Sequence, residues 1–136
     1  MAGKKTESIT ISIEGKLPGI NEYTNECRRS PYTGSRMKKE CEDICIWSIR
    51  QQLRNVKEKL PLEYPVSISY EYHENRIKRD IDNISGFAHK VIQDALVSAG
   101  VLKDDSFAYI KGYSDRFYED ADRGSEWIDV TLEKAS

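Results

Sequence analysis

The sequence predicts an α+β (mixed α/β) domain in which two helices pack on a four-stranded sheet, in the order β-α-β-α-β-β. Three observations carry this. Apolar residues alternate with polar ones at 9–13, 66–72 and 128–132, the period of a half-buried strand. They recur at three- and four-residue spacing at 37–60 and 84–96, the period of an amphipathic helix. The 136 residues, 38% hydrophobic and 32% charged, suffice for one core, and no repeat or linker divides them. The span 1–136 is therefore expected as a single domain.

Taken in order, residues 1–7 are polar and expected to be flexible. Ile9, Ile11 and Ile13 alternate with Thr10 and Ser12 as a first strand, broken by Gly15 and Pro18-Gly19. Residues 20–36 show no period and read as a long loop rich in basic and aromatic residues, among them Asn21, Tyr23, Arg28, Arg29, Tyr32 and Arg36. Met37, Cys41, Ile44, Cys45, Ile49, Leu53, Val56 and Leu60 then mark one long helix, which Pro61 and Pro65 end. Val66, Ile68, Tyr70 and Tyr72 mark a second strand. The second helix runs from Ile84 to Leu96, with Asp82 or Asn83 as N-cap and Gly100 as the C-terminal stop. Residues 107–118 read as a strand with Tyr109, Lys111 and Tyr113 on one face. Ile128, Val130 and Leu132 mark the last strand, expected to pair with it as a hairpin.

The bulk composition excludes some classes. The longest apolar run, Ile44-Cys45-Ile46-Trp47, is too short to cross a membrane, and residues 1–16 hold no secretory-type apolar segment. Three cysteines, Cys27, Cys41 and Cys45, are read as reduced thiols, with a cytoplasmic location. Cys41 and Cys45 lie one turn apart, but only His73 and His89 could complete a metal site with them, so core packing is the favoured reading. The net charge of −2 does not by itself suggest a polyanionic partner. Its distribution does: Arg28, Arg29, Arg36, Lys38 and Lys39 cluster early, and Arg76, Lys78 and Arg79 in the middle. Arginines interleaved with tyrosines grip phosphates and stack on exposed bases. A solvated loop with no ligand has the same composition.

The stretch Arg76-Ile77-Lys78-Arg79-Asp80-Ile81-Asp82-Asn83 sets two carboxylates two residues apart behind three cations, where a strand hands over to a helix. Lys103-Asp104-Asp105 follows that helix. Carboxylates that converge beside cations suit a metal-dependent phosphodiester site. Read from the residues alone, the alternative stays open: a helix cap at Asp82 or Asn83 and a turn at Asp104-Asp105.

Arg79-Asp80-Ile81-Asp82-Asn83, Asp94-Ala95-Leu96, Ala99-Gly100 and Asp104-Asp105, in that order and spacing, resemble the RusA family of Holliday-junction resolvases. These are homodimeric Mg²⁺-dependent endodeoxyribonucleases of phage and prophage origin. Pro18-Gly19-Ile20-Asn21-Glu22-Tyr23 is similar to the segment that follows the family's first strand. The resemblance implies Asp80, Asp82 and Asp105 as catalytic metal ligands with Asp104 beside them, Mg²⁺ (or Mn²⁺) as cofactor, and Lys90 as the functional lysine. It also implies a homodimer that resolves branched DNA, four-way junctions above all, by paired symmetric nicks in a bacterial or phage-infected cell. Neither a small-molecule cofactor nor a membrane is implied. A two-fold dimer would match the symmetry of the junction, and Asn21, Tyr23 and the basic segments would bind the backbone. One departure stands out. Lys90 lies eight residues after Asp82, one turn further than in the family pattern. That extra spacing leaves it rotated by about 80° and displaced by about 12 Å from Asp82. Lys90 then works through a shifted helix axis or across the dimer, or leaves its role to Lys78, Arg79 or Lys103. A non-catalytic junction- or DNA-binding module is the alternative function.

Overall fold

Alternating apolar residues build four strands, and their order in space differs from their order in sequence. The structure is a computed structural model and describes residues 8–135; the polar segment 1–7 lies outside the described residues. Its elements are β1 (Ser8–Glu14), α1 (Ile20–Arg29), α2 (Pro31–Leu53), β2 (Val66–His73), α3 (Ile81–Ser98), β3 (Ile110–Tyr118) and β4 (Trp127–Lys134). The sheet order is β1-β4-β2-β3. β4 is antiparallel to both β1 and β2, and β2 is parallel to β3. The class is α+β with a mixed sheet, as expected from the sequence, but with three helices.

β3 and β4 do not form a hairpin. β4 inserts between β1 and β2, where both faces of its backbone ladder are paired, and β3 takes the edge beside β2. The segment 20–36 is not a loop. Gly19 begins α1, its N–H donating to Glu22 Oε1 at 3.0 Å. Ser30 begins α2, its hydroxyl accepting from the N–H groups of Tyr32 and Thr33, and Pro31 occupies the first turn. α2 ends at Leu53, and a 3₁₀ segment, Arg54–Lys59, carries the chain on towards Pro61.

All three helices lie on one face of the sheet. Their buried side chains, Cys45, Ile49, Phe87, Val91, Ile92 and Leu96, meet Ile11, Ile13, Val66, Ile68, Tyr70, Val130 and Leu132 in a single core. Cys45 belongs to this core and Cys41 is half-buried, so the thiols pack, as the sequence favoured. The outer edge of β1 is covered by Gln52 of α2. Its amide donates to Ser12 O at 2.6 Å and accepts from Ser12 N–H at 2.8 Å, which satisfies an edge strand that would otherwise be open.

The other sheet face is polar and carries no helix among the described residues. Thr10 meets Thr131 at 3.0 Å, and the Ser12 hydroxyl donates to Asp129 Oδ1 at 2.5 Å. A register shift between Val66 and Ser67 rephases β3: Val66 pairs with Ile110, but Ser67 pairs with Gly112. Ile110 and Tyr113 consequently both approach the helix layer, a spacing of three that simple alternation does not allow. β3 begins at Ile110, not Phe107.

Candidate functional site

The basic motif leaves β2 and reaches α3 by way of a tethered arginine. Arg79 Nη2 donates to Glu74 Oε2 at 2.9 Å, and its Nη1 to Leu17 O at 3.1 Å. Glu74 is buried, so a charged partner at this distance offsets its desolvation. Arg79 thus pins the β2–α3 connection to the segment before α1. Arg76 and Lys78 are exposed and carry no ion pair among the described residues. With Lys16, Arg79, Arg123 and Asn75 they line an open cavity of about 530 Å³, to which Glu126 adds the single carboxylate.

The chain passes directly from Arg79 to the two aspartates. The N-cap of α3 is Asp80, rather than Asp82 or Asn83. Its backbone is extended and its carbonyl accepts from Asn83 N–H at 3.0 Å, but its carboxylate makes no capping bond. Asp82 lies in the first turn, where the helix dipole favours a negative charge. Both carboxylates are exposed and have no side-chain partner among the described residues. Asn83 turns the other way: its Oδ1 accepts from Asn21 N–H at 2.9 Å. A Cβ on Gly19 would lie 2.7 Å from the same amide. Tyr23 packs on Phe87 with ring centroids 5.0 Å apart. The Pro-Gly-Ile-Asn-Glu-Tyr segment and the Asp-Ile-Asp-Asn segment, remote in sequence, therefore meet at the start of α3. Asn21 and Tyr23 hold helices together there.

Asp105 lies elsewhere. It lines a second cavity, of about 350 Å³, with Tyr23, Lys38, His89, Lys90, Asp94 and Tyr113. Asp94 follows Asp82 by twelve residues, about 18 Å of helical rise. The chain thus brings Lys90 and Asp105 to one cavity, which neither Asp80 nor Asp82 lines. Asp104 accepts from Asp105 N–H at 2.7 Å, a local turn bond. Lys38 is committed as well: it pairs with Glu42 one turn on and with Asp94 Oδ2 at 2.6 Å. Burial opposes its charge, but these two carboxylates outweigh burial and hold its pKa above the ordinary lysine value. Arg29 pairs with Glu26, and Lys39 with Asp43. Arg28 and Arg36 are exposed on α1 and α2.

At the floor of the second cavity is a polar network that the sequence did not signal. Asp115 Oδ1 accepts from the Tyr72 hydroxyl at 2.7 Å and lies 2.8 Å from His89 Nε2. Gln93 donates to the Tyr70 hydroxyl at 2.9 Å. Burial pushes both tyrosines well above the ordinary phenol value, and Asp115 adds to the rise at Tyr72.

Among the described residues, one group of three brings metal-ligating atoms within 4.8 Å of one another: Glu71, His73 and Asp129, on the polar face of the sheet. This group could hold a metal ion. The Glu71-Tyr72-His73 spacing on a strand is visible in the sequence. Asp129 is not visible as its partner, because the pairing of β2 with β4 is not. Among the described residues no helix is long and apolar enough to cross a membrane. No family model matches the chain, and no curated protein matches it.

Proposed function

We propose that this chain binds the backbone of branched DNA and cuts it in a Mg²⁺-dependent reaction, as a structure-selective endonuclease. The observation that supports this reading best is the cavity of Lys16, Arg76, Lys78, Arg79 and Arg123, whose Arg79 the chain follows directly with two exposed carboxylates, Asp80 and Asp82, that have no side-chain partner among the described residues. Five cations against Glu126 alone suit a phosphate backbone, where contacts position the duplex without reading sequence. Among the described residues, Arg76 and Lys78 have no ion-pair partner to give up. Arg79 has, so its part is to hold the connection in place. Asp80 and Asp82 are free to take a hard cation. Mg²⁺ at such carboxylates supplies activated water and stabilises a leaving oxygen. A dimer would present two such sites to the two-fold symmetric junction.

Asp105 lines a cavity that neither Asp80 nor Asp82 lines, which favours a second reading: a module that grips junctions without cutting them. A synthetic four-way junction incubated with the protein and Mg²⁺, beside linear duplex, decides between them. Paired symmetric nicks that Asp82→Asn abolishes support cleavage. Salt-sensitive junction binding without nicks in Mg²⁺ or Mn²⁺ supports the binding module. In either case Arg76→Ala with Lys78→Ala weakens binding and reduces its salt dependence by about one to two counterions. Affinity no better than that of a charge-matched control protein removes both readings.

A further inference from the structure

We propose that Glu71, His73 and Asp129 bind one divalent first-row transition ion, Zn²⁺ or its neighbours, on the open face of the sheet. This site is separate from Asp80 and Asp82 and does not rest on the nuclease reading. Glu71 and His73 are two residues apart on β2 and so point to one face. Asp129 on β4 is the direct cross-strand partner of Glu71. Two carboxylates in that relation repel unless something positive lies between them.

The histidine is what separates this group from an ordinary acidic patch. Its Nε2 is buried, has no hydrogen-bond partner, and lies 3.5 Å from Asp129 Oδ2. Its Nδ1 sits 2.9 and 3.0 Å from the two oxygens of Asp120. A carboxylate at Nδ1 keeps the ring proton there and leaves the Nε2 lone pair facing Glu71 and Asp129, the arrangement that orients metal-bound histidines. The ring is also fixed in its plane. It stacks on Trp127 at 4.2 Å and 7°, and on Tyr118 at 4.9 Å and 11°. Both are its direct neighbours in the sheet register. Asp129 is held in turn by the Ser12 hydroxyl at 2.5 Å and by Trp127 Nε1 at 3.1 Å. One imidazole with two carboxylates suits Zn²⁺, Mn²⁺ or Fe²⁺ better than Mg²⁺, which prefers oxygen ligands throughout. Three protein ligands also leave a coordination position open to solvent.

The competing account makes a protonated His73 the cation between Asp120 and Asp129. Calorimetric titration of the metal-stripped full chain with Zn²⁺, in a Cys27→Ser background that removes the exposed thiol, distinguishes the two. One ion per chain is expected, with Mg²⁺ at least tenfold weaker. His73→Gln and Glu71→Gln should each weaken Zn²⁺ binding more than tenfold, and Asp120→Asn by about 10–100-fold through the ring it orients. Glu71 is only half-buried, so its variant tests the site even if His73→Gln fails to fold. Asp80→Asn should bind Zn²⁺ as the parent does. Binding that survives Glu71→Gln, equal affinity for Mg²⁺, loss of binding on Asp80→Asn, or a folded chain that takes up no Zn²⁺ each overturns the proposal.

Discussion

At the scale of single residues, the structure turns on side chains that no sequence pattern marks. Asp115 reads in the sequence as one more acid near an acidic end. The register shift at Val66/Ser67 turns it into the helix layer instead, opposite Tyr70 and against Tyr72 and His89. Its burial is legible only once the bulge is known. The Tyr72 hydroxyl is fully enclosed with Asp115 as its acceptor. Tyr72→Phe should therefore cost about 1–2 kcal/mol, a charge-assisted bond lost without a void. Asp115→Ala should cost more, about 2–3 kcal/mol, because it strands the buried hydroxyl. Urea denaturation of the two variants checks the order; Asp115→Ala as mild as Tyr72→Phe would mean that water or Gln93 takes over as partner.

At the scale of elements, strands were easier to read than helix starts. β1, β2 and β4 follow from strict alternation, and α3 from seven buried positions on one face. α1 was hidden because it is short and mostly polar, with none of its residues fully buried. Its signals were local: Glu22 three residues after Gly19, and Ser30-Pro31 at the next start. Gly34 shows why composition misled. It resembles a loop residue, yet it sits inside α2 where α1 crosses. A Cβ there would fall 2.4 Å from Cys27 Sγ and 3.0 Å from Cys27 Cα. The thiol can rotate away, but the backbone cannot. Gly34→Ala should thus destabilise by about 1–3 kcal/mol through overpacking, although alanine is the better helix former. A rise in the urea midpoint would show that α1 moves off α2 at little cost.

At the scale of the whole molecule, the strand order was the part out of reach. Alternation says which residues face inward, but not that β4 inserts between β1 and β2. That insertion places Asp129 beside Glu71, while the β2–α3–β3 path leaves Asp80 at the start of α3 and sets Asp105 in a cavity with His89, Lys90 and Asp94 further along it. The core formed by this arrangement also fixes how stability depends on pH. Burial pushes the Cys45 thiol up to about 12, and burial raises Tyr70 and Tyr72 above the ordinary phenol value. Lys38 is raised by Asp94 and Glu42 against the pull of burial. All four shifts have the same sign. As pH rises, the unfolded chain releases these protons first, so it binds fewer than the native state and stability falls. The contribution is complete below the ordinary thiol value of 9.0 and is lost as pH climbs towards the folded value of about 12. Each group that is deprotonated only in the unfolded chain adds a slope of about 1.4 kcal/mol per pH unit. Urea midpoints should accordingly be level from pH 7 to about 8 and drop steeply between roughly 9 and 11. Tyr72→Phe, weaker at pH 7, should show the shallower decline above pH 10, because it removes one of the linked protons. A midpoint flat to pH 11, or an equal slope in the variant, would mean that these groups ionise in place without opening the core.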